Sequence, residues 1–269
     1  MILEETYSTI KTRYGERFNT VVIEQFVAGI YFMAVKLSSG YCGMANTNLN
    51  ESDTCTQNRK NGFGDFSPGN FSGNTVAELF NHNNTTGFIK TVQLAAMNAI
   101  SAELIAESQY KTIENLDPIA LLDLDCGKNI CLIGAFLSYM KKISASNSHL
   151  SILELNTKAV PDEYQQFLIT GHLAKKTILQ SDIVIITGAS LANNTIDALM
   201  DKVPTDKQVI LVGPTSSLLP DVLFKHGVNI IGSTRITDSK MAMQLIAEGA
   251  AGFHLFNKCA IKTCIINES

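Results

Sequence analysis

The sequence predicts an α/β protein in which a Rossmann-like, doubly wound parallel sheet follows a small α+β domain. Beyond Pro118, short runs of branched apolar residues alternate with helical stretches, which is the pattern of a parallel sheet with crossover helices. Two of these runs, 182–187 and 208–212, show little polar alternation, as strands covered on both faces require. Residues before about 112 instead indicate a hairpin followed by helices, so we expect one domain over 1–112 and a second over 113–269.

The composition excludes several classes of protein. Apolar residues make up 45% of the 269 residues and charged residues 17%, so the chain has ample material for a buried core. A net charge of −4 gives no electrostatic reason for binding nucleic acid or an anionic membrane. The first residues lack the basic segment and apolar core of a signal peptide, and no apolar run reaches the roughly 18–20 residues that span a bilayer. We therefore expect a cytoplasmic protein with no nucleic-acid or membrane partner.

The first domain is predicted to begin with a helix over 2–14, where apolar side chains recur at helical spacing. Strands over 19–27 and 30–37 follow as a hairpin, whose free edge offers a surface for a homodimer. Residues 38–74 are rich in Gly, Asn, Ser and Asp, and predict a long loop. A short helix is then predicted over 75–80.

A stronger helix is predicted over 88–107, and its apolar residues cover nearly its whole circumference. Such a helix is buried on several sides, so we expect it to pack between the hairpin and the second domain. Asn98 is the polar exception in its middle. A buried amide needs hydrogen-bond partners, so Asn98 either holds a neighbouring backbone segment or faces a polar site.

The second domain is predicted from its alternation of apolar runs and helical patterns. The predicted strands cover 129–133, 150–155, 182–187, 208–212, 228–231 and 260–266. The predicted helices cover 135–144, 163–180, 195–202, 219–226 and 239–248.

The first strand-to-helix turn of this domain contains a single glycine, Gly134. A dinucleotide site requires Gly-x-Gly-x-x-Gly here, because the second glycine lets the pyrophosphate approach the backbone. We expect Phe136 to occupy that space, which disfavours orthodox NAD binding. Glu154 nevertheless lies twenty residues after Gly134, where a ribose-binding acid is expected, so another nucleotide-like ligand stays open.

Polar, glycine-bearing loops follow two of the predicted strands, and a third polar loop follows the next strand. Open α/β sheets bind ligands at the carboxyl ends of their strands, so these loops predict one wall of a ligand site. Capping is the alternative for the first loop, since Asn194 with Asp197 three residues later is typical of a capping box. Arg235 in the third loop either clamps a carboxylate or phosphate or lies in solvent. The candidate binding residues in these loops are Thr187, Gly188, Ser190, Asn193, Thr195, Gly213, Thr215, Ser216 and Arg235.

The six cysteines show no spacing typical of a metal site. We predict buried free thiols at the four positions that flank or enter strands, which are Cys126, Cys131, Cys259 and Cys264. Cys42 and Cys55 stand in loop-like sequence, and we expect them to be more accessible, with a metal or redox role as the alternative. Familiar catalytic motifs are missing, so no catalytic residue or metal ligand can be named from spacing.

Three segments together resemble the "putative heavy-metal chelation" family, a Rossmann-like domain of unknown function. They are 181–197, 213–217 and 232–238, and the likeness extends weakly over nearly the whole chain. Members commonly carry a first domain similar to the N-terminal domain of enolase, which the hairpin and the segments 43–47 and 96–99 fit. Many relatives have a second Thr after Thr-Gly, where this chain has Ala189-Ser190.

The resemblance implies a site at the junction of the two domains. It would be lined by the strand-end loops and by Asn46, Thr47 and Asn98 of the first domain. The family name implies a metal ion as ligand or cofactor, although no residue pattern here supports one.

The leading hypothesis is a protein that binds a small polar ligand, such as a metal ion or metal chelate, in this interdomain cleft. The alternative is an enzyme acting on a nucleotide-like or amino-acid-derived metabolite, with Glu154 holding a ribose or an amine. A non-catalytic scaffold is the third hypothesis.

Overall fold

The predicted fold class is confirmed. The computed structural model describes residues 1–48, 66, 68–81 and 86–268, and contains a three-stranded antiparallel sheet and a seven-stranded, mostly parallel sheet. The seven-stranded sheet begins at residue 112; the domain boundary set there stays a prediction. None of the helices in the described residues is long and apolar enough to cross a membrane.

The first part of the chain folds as helices around an antiparallel meander of three strands. The hairpin pairs strand β1 with β2, and β3 continues the meander on the other side of β2. This leaves β1 at an edge, where the proposed dimer contact stays a prediction. The elements are α1 (Ile2–Tyr14), α2 (Arg17–Thr20), β1 (Ile23–Ala28), β2 (Phe32–Leu37), β3 (Cys42–Asn46), α3 (Val76–Asn81) and α4 (Gly87–Ala106).

Strand β3 lies where a loop over 38–74 is predicted, so that prediction is wrong for this segment. Gly43 in its middle weakens the strand signal, but tertiary packing requires a glycine there. A β-carbon on Gly43 would lie 2.2 Å from the backbone nitrogen of Ala99 and 2.3 Å from the carbonyl oxygen of Ala95. Residues 49–65 and 67 of the predicted loop lie outside the described residues.

Helix α4 is buried along almost its whole length, as its apolar circumference predicts. It packs on β2 and β3 on one side, and it also contacts α1 and the turn at Pro214–Ser216. One hydrophobic core therefore runs through both parts of the chain, from Ile10 and Ile100 to Val184 and Leu211 of the larger sheet.

The larger sheet has the strand order β4-β10-β9-β8-β7-β5-β6. The five strands from β5 to β9 are parallel, and in space they follow the order 2-1-3-4-5 of a doubly wound sheet. The topological switch point of this order lies between β5 and β7. The strands are β4 (Thr112–Glu114), β5 (Asn129–Ile133), β6 (His149–Leu153), β7 (Ile183–Thr187), β8 (Gln208–Val212), β9 (Ile230–Ile236) and β10 (Ala260–Ile266).

Strands β4 and β10 run antiparallel to their neighbours, which corrects the expectation of an entirely parallel sheet. The helices between β9 and β10 contact the small sheet instead of crossing back over the large one. The chain consequently re-enters beside the end of β9, where Ala260 pairs with Ile236.

Helices cover both faces of the larger sheet. Helix α5 packs on one face, and helices α4, α6 and α9 pack on the other. The helices of this part are α5 (Leu137–Ser144), α6 (Ala174–Gln180), α7 (Ala189–Ala192), α8 (Ile196–Met200), α9 (Pro220–Lys225), α10 (Ser239–Ala247) and α11 (Gly252–Phe256).

Two local predictions in this part are wrong. The helix predicted over 163–180 is an α-helix only from Ala174. Two 3₁₀ helices, Asp162–Phe167 and Gly171–Leu173, precede it, and between them Leu168 bridges to Ile152 at the sheet edge. The capping box of Asn194 and Asp197 does not form. Asp197 instead accepts a hydrogen bond from the backbone nitrogen of Ile2 at 2.8 Å.

Candidate functional site

A cleft of about 550 Å³ opens at the carboxyl ends of β5, β6 and β7, and we call it the strand-end cleft. It lies at the topological switch point, where open α/β sheets bind their ligands, and its volume suits a small molecule. Its described lining is Ile133, Gly134, Ala135, Leu153, Glu154, Leu155, Ile169, Gly171, Ala174, Ile178, Thr187, Ala189, Ser190, Asn193, Thr195, Ala198, Leu199 and Lys202.

The floor of the cleft depends on the contact between Gly134 and Thr187. Gly134 has φ +114°, and a β-carbon built on it would lie 2.8 Å from Cβ of Thr187. Its backbone nitrogen donates to the carbonyl oxygen of Leu153 at 2.9 Å. A glycine is therefore needed at this position so that three strand ends can meet.

Local hydrogen bonds hold the polar loop after β7 in one conformation. The Ser190 hydroxyl donates to the carbonyl oxygen of Thr187 at 2.7 Å, and Thr187 Oγ1 accepts from the backbone nitrogen of Ala189 at 3.2 Å. Further along, the Thr195 hydroxyl donates to Oδ1 of Asn193 at 2.7 Å. The loop thus presents hydroxyl oxygens whose positions are set before any ligand arrives.

The cleft also contains two groups of opposite charge. Oε1 of Glu154 accepts from the backbone nitrogen of Asn156 at 2.9 Å, which orients the carboxylate and leaves its second oxygen available. Lys202 is exposed, and within the described residues its ammonium group has no ion-pair or hydrogen-bond partner. The site combines one carboxylate, one ammonium group, hydroxyls and apolar walls.

Six of the predicted binding residues meet in this cleft: Gly134, Glu154, Thr187, Ser190, Asn193 and Thr195. The wall formed by Ile169 and Gly171 is not predicted from the sequence, because one continuous helix is expected over 163–180. Lys202 could have been found, since Thr195, Ala198, Leu199 and Lys202 have the i, i+3, i+4, i+7 spacing of one helix face.

Other predicted residues lie instead in the contact between the two parts of the chain. Thr215 Oγ1 accepts from the backbone nitrogen of Asn46 at 2.9 Å and donates to Oδ1 of Asn46 at 2.5 Å. Nδ2 of Asn98 donates to the carbonyl oxygens of Met44 at 2.7 Å and of Thr215 at 3.1 Å. The amide nitrogen of Asn98 thus holds neighbouring backbone, as one of the two alternatives states, while its buried Oδ1 has no hydrogen-bond partner among the described residues.

The remaining predicted residues have structural partners elsewhere. Ser216 Oγ lies within donating distance of the carbonyl oxygens of Gly213 and Gly232, at 2.6 and 2.7 Å. The hydroxyl of Thr47 donates to the carbonyl oxygen of Gly29 at 2.8 Å. The backbone nitrogen of Gly188 donates to the carbonyl oxygen of Val212 at 2.7 Å.

Arg235 lies within β9 and not in a loop as predicted, because the strand extends to Ile236. It lines a different cleft and forms an ion pair with Glu114, with Nη2 and Oε1 2.6 Å apart.

Phe136 is not among the residues that line the strand-end cleft, but its ring lies beside Gly134, with Cε2 3.3 Å from a β-carbon built on that glycine. It lines a separate cleft, where its ring centroid is 5.5 Å from that of Tyr139. The side chain packs against the same core cluster as α5, which begins at Leu137. The expectation that Phe136 occupies the space of a pyrophosphate therefore stays a prediction.

These features define a Rossmann-like α/β protein with a ligand-sized cleft at the switch point of its sheet. Two family models, both described as "Putative heavy-metal chelation", match it: DUF4213 over residues 12–101 and DUF364 over residues 117–265. The chain belongs to this family.

One relative is similar to this chain in sequence. An uncharacterized protein of Methanocaldococcus jannaschii is 27% identical over 156 residues, which cover 57% of this chain and 57% of that relative. The chain thus spans little more than half the length of this relative.

Two crystal structures of DUF364 proteins of unknown function are similar to the whole fold, each at 19% identity. The Pyrococcus horikoshii protein has a TM-score of 0.77, with 99% of this chain and 100% of the other covered. The Desulfitobacterium hafniense protein has a TM-score of 0.69, with 96% of each chain covered.

The family description raises the question whether these side chains fit a heavy metal. Among the described residues, no group of three or more His, Cys, Asp or Glu side chains could hold a metal ion. Soft metals prefer thiolates, but burial raises the pKa of Cys42 and of Cys131 to about 12. The described residues therefore do not fit direct coordination of a heavy metal by the protein.

The thiols differ from the sequence prediction at two positions. Cys42, expected to be accessible, is buried in β3, and Cys126, expected to be buried, is exposed. Cys42 pairs into a sheet that the sequence pattern missed, whereas Cys126 precedes β5 and its thiol donates to Oδ2 of Asp123 at 2.7 Å. Cys55 lies outside the described residues.

Proposed function

We propose that this protein binds a small polar organic molecule in the strand-end cleft, and that a metal would arrive as a chelate of that molecule. The observation that carries the proposal is that an available carboxylate, Glu154, and an available ammonium group, Lys202, line the same cleft. A chelate suits the donor set better than a bare ion, because the chelator supplies the metal ligands itself.

The charges of the cleft indicate which ligand groups it would recognise. Lys202 would attract a carboxylate or phosphate, and Glu154 would accept hydrogen bonds from an amine or a diol. The hydroxyls of Thr187 and Ser190 would orient the polar part, while Leu155 and Ile169 cover its apolar part. Amino acids, hydroxy acids and metal chelators built from them carry this combination of groups.

An enzyme acting on a nucleotide-like metabolite is the second candidate. One observation favours it: Glu154 directly follows the second strand of the doubly wound sheet and lines the same cleft as Gly134. An acid at this position binds ribose hydroxyls in dinucleotide sites. Because the turn has a single glycine, the similarity to a dinucleotide site covers the ribose contact and not the pyrophosphate contact.

A thermal-shift panel tests both candidates with three groups of ligands: free Ni²⁺, Co²⁺ and Zn²⁺; their citrate and histidine chelates; and metal-free nucleosides, amino acids and hydroxy acids. A ligand present at 100 times its Kd stabilises the folded state by about 2.7 kcal/mol. We expect stabilisation by an organic ligand or chelate and a loss of that effect in Glu154→Gln or Lys202→Met. Incubation with each stabilising compound, followed by mass spectrometry, separates turnover from binding.

The exposed variants Glu16→Gln and Lys141→Met carry the same charge changes away from the cleft and serve as controls. Equal stabilisation of wild type, Glu154→Gln and Lys202→Met would contradict the proposal. Stabilisation by the free metals alone would contradict it as well.

A further inference from the structure

A second cleft, of about 220 Å³, lies between the two parts of the chain, and we call it the aromatic cleft. Phe32 of β2 contributes one wall, Phe256 of α11 another, and Phe136 borders it after β5. It lies where the core cluster that contains Phe32 ends and the cluster that contains Tyr139 begins. It shares no lining residue with the strand-end cleft.

Three glycines, Gly213, Gly232 and Gly252, line this cleft. A β-carbon on Gly232 would collide with Pro118, at 2.4 Å from its Cγ. A β-carbon on Gly252 would meet only a ring carbon of Phe256, at 3.7 Å, which is ordinary contact. The backbone at Gly252 could therefore carry a side chain, and the space beside Phe256 would accept one.

A charged network borders the same cleft and is assembled from three distant segments. Nζ of Lys262 in β10 lies 2.6 Å from Oδ2 of Asp117, and the Tyr139 hydroxyl donates to Oδ1 of Asp117. Burial raises the pKa of Asp117, but the hydrogen bonds from Lys262 and Tyr139 outweigh it and hold that pKa below its ordinary value. Burial raises the pKa of Tyr139, so the phenol keeps its proton and stays a donor.

In this network the groups still able to form hydrogen bonds are the N–H donors of Lys262. Both carboxylate oxygens of Asp117 are occupied, since Oδ1 also accepts from the backbone nitrogen of Ile119 at 3.4 Å. Lys262 has three N–H groups, of which one serves Asp117, and its nitrogen lies 5.4 Å from the ring centroid of Phe256. The cleft therefore combines aromatic walls with a positively charged donor, which suits a flat ligand that carries an anionic acceptor.

We propose that the aromatic cleft is a second ligand site, specific for a small aromatic carboxylate. Its ring would pack against the phenylalanine side chains, and its carboxylate would bind the Lys262 ammonium group that Asp117 holds in place. The volume suits a single substituted ring. Unlike the strand-end cleft, this site is lined by residues of both parts of the chain.

Titration with 4-fluorobenzoate, followed by fluorine NMR, tests the proposal, with 4-fluorobenzyl alcohol as the neutral probe. We expect saturable binding of the carboxylate by the wild type and an affinity lower by about tenfold to a hundredfold in Lys262→Met. Lys258→Met removes an exposed lysine of the same segment and should bind as the wild type does. Wild-type protein that fails to bind the carboxylate, or binds the alcohol equally well, would overturn the proposal.

A second variant keeps the test decisive if Lys262→Met unfolds. Gly252→Leu fills the cleft at a position whose backbone tolerates a side chain, so it should fold and lose 4-fluorobenzoate binding. Unchanged binding by folded Gly252→Leu would overturn the proposal. Glu154→Gln should leave 4-fluorobenzoate binding intact. One proposal can therefore be contradicted while the other stands.

Discussion

Gly134 and Thr187 meet at the centre of the strand-end cleft, where a β-carbon on Gly134 would lie 2.8 Å from Cβ of Thr187. This contact joins the ends of β5 and β7, the two strands that flank the switch point. A dinucleotide fold uses several glycines in this turn to admit a pyrophosphate. Here the one glycine brings two strand ends together, and the ligand space lies beside them.

Gly134→Ala should therefore destabilise the protein and deform the cleft. A side chain at φ +114° is strained, and the new methyl group would also collide with Thr187, so we expect a loss of about 2–4 kcal/mol. Urea unfolding measures it. Gly171→Ala is the matched control, since Gly171 lines the same cleft and a β-carbon there would meet no atom within 4 Å. Equal stability of the two variants would show that the contact is relaxed in solution.

Asn98 links β3 to the turn at Pro214–Ser216, so its amide should be essential for the junction of the two parts. Asn98→Ala removes both donated hydrogen bonds and should cost about 1–3 kcal/mol. Asn98→Asp should cost more at pH 7, because a carboxylate would then face two carbonyl oxygens. Its folded-state pKa would be raised, so the excess penalty should shrink as the pH falls towards about 4. Urea midpoints across pH check this, and a pH-independent difference would contradict it.

Glu5 of α1 connects the two parts of the chain through Lys225 and His226 at the end of α9. Hydrogen bonds from Lys225 and His226 lower the pKa of Glu5 from 4.5 to about 2. Because the folded-state pKa is depressed, this contribution to stability is present above pH 4.5 and is lost as the pH falls towards 2. We expect the urea midpoint of Glu5→Gln to lie below that of the wild type at pH 6 and to converge with it by pH 2. Glu16→Gln, which alters an exposed carboxylate, should track the wild type throughout.

Cys126 should be the most reactive thiol of the five described cysteines. The experiment uses the Cys55→Ser variant, so that only these five thiols are present. The other four are buried, and burial raises the pKa of Cys264 to about 11 as well. The hydrogen bond to the Asp123 carboxylate raises the pKa of the Cys126 thiol, so its reaction with a disulfide reagent at pH 8 should still be slow. Asp123→Asn should accelerate that reaction. Modification of Cys42 or Cys131 at a comparable rate in the native protein would contradict the burial.

Several elements could be predicted because their signal is local. The runs at 208–212 and 260–266 become β8 and β10 with the predicted bounds, since short segments rich in branched apolar residues favour strands. The apolar circumference of 88–107 likewise predicts the buried helix α4. The direction of β10 could not be predicted, because it depends on where α10 and α11 pack.

Some residues of the candidate site could likewise be predicted from local sequence, and others could not. Thr187, Ser190 and Glu154 line the strand-end cleft, because they follow strands whose carboxyl ends share one edge of the sheet. Thr215 follows a neighbouring strand and has the same local signal, but it is fully buried against Asn46 and Asn98. Nothing in the sequence around Thr215 distinguishes a ligand contact from a contact between the two parts of the chain.

The sequence by itself determined the doubly wound architecture, the buried helix and the edge of the sheet at which polar residues gather. These features follow from hydrophobic periodicity and from glycine at strand ends, which act over a few residues. Only the tertiary structure decided that β3 exists, that Asn98 holds backbone and that Lys262 meets Asp117 beside three phenylalanines. Those relationships join residues far apart in the chain, and they depend on packing that no local pattern encodes.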